Sequence, residues 1–127
     1  MSMRTPLGRV RGLGANKDGT GHWMAQRFTA IALLPLTLWF VYSIISLTGA
    51  DQAAFKIWAA EHGNALLLIL FVLTMYYHTQ LGLQVVIEDY IHHEGLKIAS
   101  VIAVKLIAIL CAASSVIAVL GLAIGRS

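Results

Sequence analysis

The stretch MYYHTQLGLQVVIEDY, residues 75–90, holds three groups able to do chemistry in otherwise apolar surroundings: His78, Asp89 and Tyr90. A neutral imidazole offers a lone pair, so His78 suits an axial position on a haem iron. The other reading of His78 is a neutral histidine hydrogen-bonded to Thr74 or to another helix. Tyr90 and Asp89 pair a phenol that donates a hydrogen bond with a carboxylate that relays protons, the combination that reducing a quinone carbonyl requires. Their other reading is an interfacial tyrosine beside a solvated acid. A fourth group, Arg27, opens an apolar run. It either binds lipid headgroups or pairs with carboxylates such as haem propionates, which its guanidinium fork matches.

The elements that must position these groups are set by hydropathy. Of 127 residues, 58% are hydrophobic and 12% charged, against about 25% charged in ordinary soluble domains. Mean hydropathy is +0.77. The few charges are segregated. Residues 28–48 carry none, residues 63–87 carry none but include His78, and residues 98–125 carry only Lys105. Each run exceeds the roughly 20 residues that cross a hydrocarbon core as a helix. Backbone polar groups in lipid must be satisfied within the segment, so helix is expected for all three. The expectation is an all-α integral membrane protein with spans at about 27–48, 63–89 and 98–125, following an irregular basic arm at 1–22. Residues 23–126 form the anchor, and no room remains for a soluble catalytic domain. The first apolar run is longer than the hydrophobic region of a cleaved signal peptide and reads as a span.

Orientation follows from lysine and arginine placement. The leading segment holds Arg4, Arg9, Arg11, Lys17 and Arg27, while the connection between the first two spans has only Lys56. This predicts a cytoplasmic N-terminus and a C-terminus on the opposite face. The sequence pI of about 9.3 reflects that asymmetry. Anionic lipid headgroups, rather than nucleic acid, are the expected neighbours of the arm. Pro35 predicts a kink in the first span, and Trp23, Trp39 and Tyr42 stand where interfacial aromatics belong. Residues 48–65 include an amphipathic piece whose Phe55, Trp58 and Ala59 share a face, expected to lie along the far surface. Cys111 falls inside the third span and is the chain's only cysteine, so no intramolecular disulfide is possible. Small residues in AASSVIAVLGLAIG allow another helix to approach closely, and a partner subunit is expected.

His78 lies nine residues from Ile87, where the second span meets the boundary. That places it roughly 13 Å below the boundary, near mid-bilayer. Ionisable groups at such depth are functional hypotheses by default. Gly82, at i+4, leaves space that either a flat macrocycle or a packed helix would use. His22, His62, His92 and His93 fall in the arm or connections and read as solvated surface. A six-coordinate haem would therefore need its second axial ligand from another chain. Asp89 follows His78 by eleven residues, about 1,100° of rotation, and so shares nearly the same helix face.

Two motifs make the chain resemble a known family. HWMAQRFTAIAL places an arginine at the opening of the first span. H-x-x-x-G-L-Q-V-V-I-E-D-Y sets a histidine, a glycine and a terminal Asp-Tyr pair at the spacing of the smaller hydrophobic anchor of bacterial succinate dehydrogenase, respiratory complex II. The arm sequence TPLGRVRGLG is similar to alphaproteobacterial members. The resemblance implies a multi-pass subunit of the cytoplasmic (inner) membrane in the respiratory chain, its bundle completed by a second anchor subunit. It implies a haem b held between the two anchors, with His78 as axial ligand and Arg27 near a propionate. It further implies Tyr90 hydrogen-bonding ubiquinone, Asp89 as its acidic neighbour, and flavoprotein and iron–sulfur subunits docked on the cytoplasmic side. Succinate chemistry would lie in those subunits. His92, His93 and Glu94 match nothing in the family pattern. Two other classes are weighed: a cytochrome b subunit of another membrane oxidoreductase, such as a hydrogenase or formate dehydrogenase, and a small structural membrane subunit without cofactor. The former usually carries more spans and more intramembrane histidines.

Overall fold

The structure is a computed structural model that describes residues 15–125, with side chains from Thr20 onward. Arg4, Arg9, Arg11 and Arg126 lie outside the described residues, as does the side chain of Lys17. Four helices occupy the described chain: α1 (Ala15–Ser46), α2 (Gln52–Ala60), α3 (His62–Tyr90) and α4 (Glu94–Ala123). Three stretches are long and apolar enough to cross a membrane: Thr20–Ser46, His62–Tyr90 and Glu94–Ala123. The expected all-α, three-span architecture is the one observed.

One boundary differs. The basic arm was expected to be irregular through residue 22, yet α1 already runs from Ala15. Once a helix exists, each added residue gains a hydrogen bond without a new nucleation cost, so the apolar span carries helix outward into polar sequence. Pro35 sits inside α1, and the helix continues through it.

Helix α3 is the middle member of a row. It packs against α4 on one side and α1 on the other, whereas α1 and α4 have no Cα pair within 8 Å among the described residues. The short helix α2 contacts both α3 and α4 and closes one end. There Ala59 is fully buried, and Ala65, Leu68 and Val119 join it, edged by Trp39, Phe40, Trp58 and Leu122. The Trp39 and Trp58 rings stack with centroids 5.9 Å apart, and Phe40 stacks on Phe71 at 4.7 Å. This is the amphipathic piece read from the sequence: Trp58 and Ala59 turn inward while Ile57 stays exposed. Elsewhere the long helices present leucine, isoleucine and valine outward, a surface that is costly in water and neutral in lipid.

The connections are short and hydrogen-bonded. After α1 the chain turns through Gly49 at φ +85°, a conformation glycine adopts without a steric penalty. Asp51 then caps α2, its carboxylate accepting from the Ala54 N–H at 2.8 Å. Between α3 and α4, His93 was expected to be merely solvated. It is exposed, and its ring also caps α4, with Nδ1 accepting from the Leu96 N–H at 3.1 Å. A Cβ at Gly95 would stand 3.3 Å from His93 Cε1, so a side chain there would press on the capping ring. His92 is exposed. Glu94 and Lys97 form an exposed pair at 3.9 Å, a kind of contact worth little in water.

Two expectations follow. Ala59→Leu should overpack the α2 end and destabilise the protein by about 1–3 kcal/mol, whereas Ala60→Leu, at an exposed position, should be near neutral; unfolding in mild detergent compares them. His93→Ala should lose about 1 kcal/mol with the cap, and His93→Asn should recover most of it, because asparagine is a good cap.

Candidate functional site

His78 stands on α3 sixteen residues after its start and twelve before its end, so roughly 18 Å of helix separates it from Tyr90. Its Nδ1 lies 2.9 Å from the Oγ1 of Thr29 on α1. Thr29 also donates to the backbone carbonyl of Ala25 at 2.8 Å, with the Gln26 carbonyl at 3.0 Å. A hydroxyl has one proton and two acceptor lone pairs. With its proton on a carbonyl, Thr29 accepts from His78 Nδ1–H. The reverse arrangement makes one hydrogen bond fewer and leaves an imidazole N–H without an acceptor, which is costly away from water. The assigned tautomer therefore carries hydrogen on Nδ1 and the lone pair on Nε2. Of the readings open for His78, a hydrogen bond to another helix is observed, and Thr74 is not the partner. The bond leaves the second nitrogen free, so it is compatible with metal ligation through Nε2. A single neutral donor of this kind is the chemistry that an axial haem position demands.

The α1 face toward α3 carries a polar stripe at helical spacing: His22, Gln26 and Thr29. His22, expected to be solvated, is half-buried, and among the described residues its buried Nε2 has no hydrogen-bond partner; neither has Gln26 Oε1. Gly82 faces the first helix: a Cβ there would meet Gln26 Nε2 at 3.7 Å, an ordinary contact.

Arg27, read from the sequence as opening the first span, lies twelve residues into α1. Because Thr29 is level with His78, Arg27 lies only about 3 Å along the axis from that level. It is turned about 200° around α1 from Thr29, so the two side chains leave opposite sides of the helix. Its guanidinium lies 5.0 Å from the Trp23 ring centroid, a favourable cation–π distance. With Met24, Phe28 and Ile31 these two residues line an outward hollow of about 420 Å³. No carboxylate pairs with Arg27 among the described residues. The structure does not bring Arg27 and His78 into contact.

Asp89 and Tyr90 close α3, both exposed, with Tyr90 at 77%. Neither side chain has a hydrogen-bond partner among the described residues, so phenol and carboxylate both face outward. Antiparallel packing puts Tyr90, the start of α4 and the start of α1 at one end, and α2 at the other.

A second polar track was missed in the sequence. On α3, Gln80 Nε2 donates to Gln84 Oε1 and Gln84 Nε2 to Glu88 Oε1, both at 3.0 Å. The i, i+4 spacing of these three residues was the available signal. Buried Gln80, with Tyr76, Tyr77 and Lys105, lines a cavity of about 400 Å³ between α3 and α4. Lys105 is exposed and unpaired among the described residues.

With this geometry in place, similarity to known proteins can be weighed. A family model described as succinate dehydrogenase/fumarate reductase transmembrane subunit matches residues 1–112. The succinate dehydrogenase hydrophobic membrane anchor subunit of Rickettsia bellii is 38% identical over 117 residues, covering 91% of this chain and 93% of that protein. The corresponding subunit of Paracoccus denitrificans is 30% identical over 100 residues, covering 79% and 78%. A succinate dehydrogenase membrane anchor subunit of Reclinomonas americana is 29% identical over 96 residues, covering 73% and 80%. No solved structure matches. Three apolar spans, near-full-length similarity to such anchors and the family match together lead to one assignment: the chain belongs to the succinate dehydrogenase/fumarate reductase transmembrane subunit family.

Proposed function

We propose that this subunit anchors a succinate:ubiquinone oxidoreductase in the bacterial inner membrane, supplies one axial ligand to a haem b, and contributes to the ubiquinone site. The observation that carries the haem reading is the His78 ring. Its Nδ1 is engaged by Thr29, leaving Nε2 as a neutral donor deep in a membrane-spanning helix. A second anchor subunit would supply the other protein ligand to the iron. Positive-inside bias sets the N-terminus and the Tyr90 end on the cytoplasmic side, where flavoprotein and iron–sulfur subunits dock and anionic headgroups neighbour the basic arm.

The residues divide the work. His78 Nε2 would hold the haem, which when bound supplies one-electron redox chemistry. Arg27 has no carboxylate partner among the described residues, so its guanidinium would answer a propionate carboxylate at the outward face of α1. Tyr90 donates its phenolic hydrogen to a ubiquinone carbonyl. Asp89, beside it, accepts protons from water and passes them to the reduced oxygen. Reducing the quinone to quinol takes two electrons and two protons. The electrons come from succinate oxidised elsewhere in the complex, and the protons enter at the exposed end of α3, where lipid-soluble substrate and water meet.

The test uses the intact complex in mild detergent. A reduced-minus-oxidised spectrum of b type is expected in the wild type and should be lost or shifted in His78→Ala; an unchanged low-spin signal removes His78 from the ligand role. Tyr90→Phe should slow quinone reduction by about 10²-fold while leaving the haem spectrum and dye-linked succinate oxidation intact. Unaltered quinone kinetics in that variant would exclude the tyrosine.

A further inference from the structure

Thr29 lies 49 residues from His78 in sequence, and no motif in the chain links the two. The distances 2.9 Å to the imidazole, 2.8 Å to the Ala25 carbonyl and 3.0 Å to the Gln26 carbonyl make its hydroxyl a one-way relay. With its proton on a carbonyl of its own helix, the hydroxyl accepts from the ring, the arrangement that satisfies the most hydrogen bonds. We infer that Thr29 is the positioning residue of the haem ligand: by accepting from Nδ1–H it selects the tautomer, fixes the ring orientation and raises the electron-donating power of Nε2. This rests on the haem reading of His78 and extends it to a residue that touches no cofactor itself.

The physical basis is general. A ligating histidine that donates its other N–H to an acceptor is held in one tautomer and becomes a more basic ligand. A more basic imidazole stabilises ferric over ferrous iron, so the hydrogen bond lowers the midpoint potential, and hydrogen bonding near the ligand is one of the protein's levers on haem. The site is built for this. Thr29 is half-buried, its β-branched side chain has few rotamers, and the back-bond to α1 removes the remaining freedom of the hydroxyl.

The experiment is a potentiometric titration of the haem in the intact complex, with the ferric low-spin g values recorded alongside. Thr29→Val keeps shape but removes the acceptor, and Thr29→Ser keeps the acceptor. An upward shift of the midpoint in Thr29→Val, with altered g values and return to wild-type behaviour in Thr29→Ser, is the expected result. Thr29→Ala provides the same loss of acceptor should valine hinder assembly. A purely structural threonine would change stability and leave the midpoint in place, so a wild-type midpoint and g values in the assembled valine or alanine variant overturn the inference alone. No b-type signal in the wild type, or its persistence unchanged in His78→Ala, brings down the haem reading and this inference with it.

Discussion

In hydrocarbon there is no water to accept a stray hydrogen, and a polar group left unpaired there costs several kcal/mol. That constraint shapes the protein at two scales. For the backbone it enforces three long helices. For side chains it requires that each polar group within the spans find a partner in the chain, in a partner subunit or in a bound molecule. The bond between Thr29 and His78 is where both scales meet, because it joins α1 to α3 and also decides which imidazole nitrogen stays free. Gln80, Gln84 and Glu88 obey the same rule along a single helix. Among the described residues, His22 Nε2 and Gln26 Oε1 have no hydrogen-bond partner and the Arg27 guanidinium has no carboxylate.

Much of the fold was legible in the sequence because hydropathy over twenty-residue windows is a strong signal. The three spans, the short amphipathic helix and the prominence of His78 all follow from it. The start of α1 was harder to place. Hydropathy marks where an apolar span stops, which is a different boundary from where helix stops. Arg27, which opens the apolar run, therefore lies twelve residues into α1. The capping role of His93 was hidden because a histidine carries no cap signature like that of serine or aspartate.

The candidate site was legible only as separate residues. Spacing along α3 could align His78 with Asp89, since both belong to one helix of known pitch. The pairing of His78 with Thr29 depends on the register between two helices, which no single-helix pattern encodes. A threonine within an apolar run also has an unremarkable local explanation, the back-bond to its own helix, and here it makes that bond and the cross-helix one together. Gly82 shows the opposite case. Its absent side chain suggested room for a macrocycle or a packed helix, and Gln26 of the first helix is the neighbour it faces.

The row arrangement carries a mechanical consequence. Helix α2 touches α3 and α4 at one end, while at the Tyr90 end α1 and α4 are linked, among the described residues, only through α3. A load shared between the outer helices at that end therefore passes through the central one, and the outer two can tilt about it much as leaves of a book turn on a spine. His78 lies on that spine near its midpoint, where the lever arm is short, so its geometry is insulated from movements that displace Tyr90.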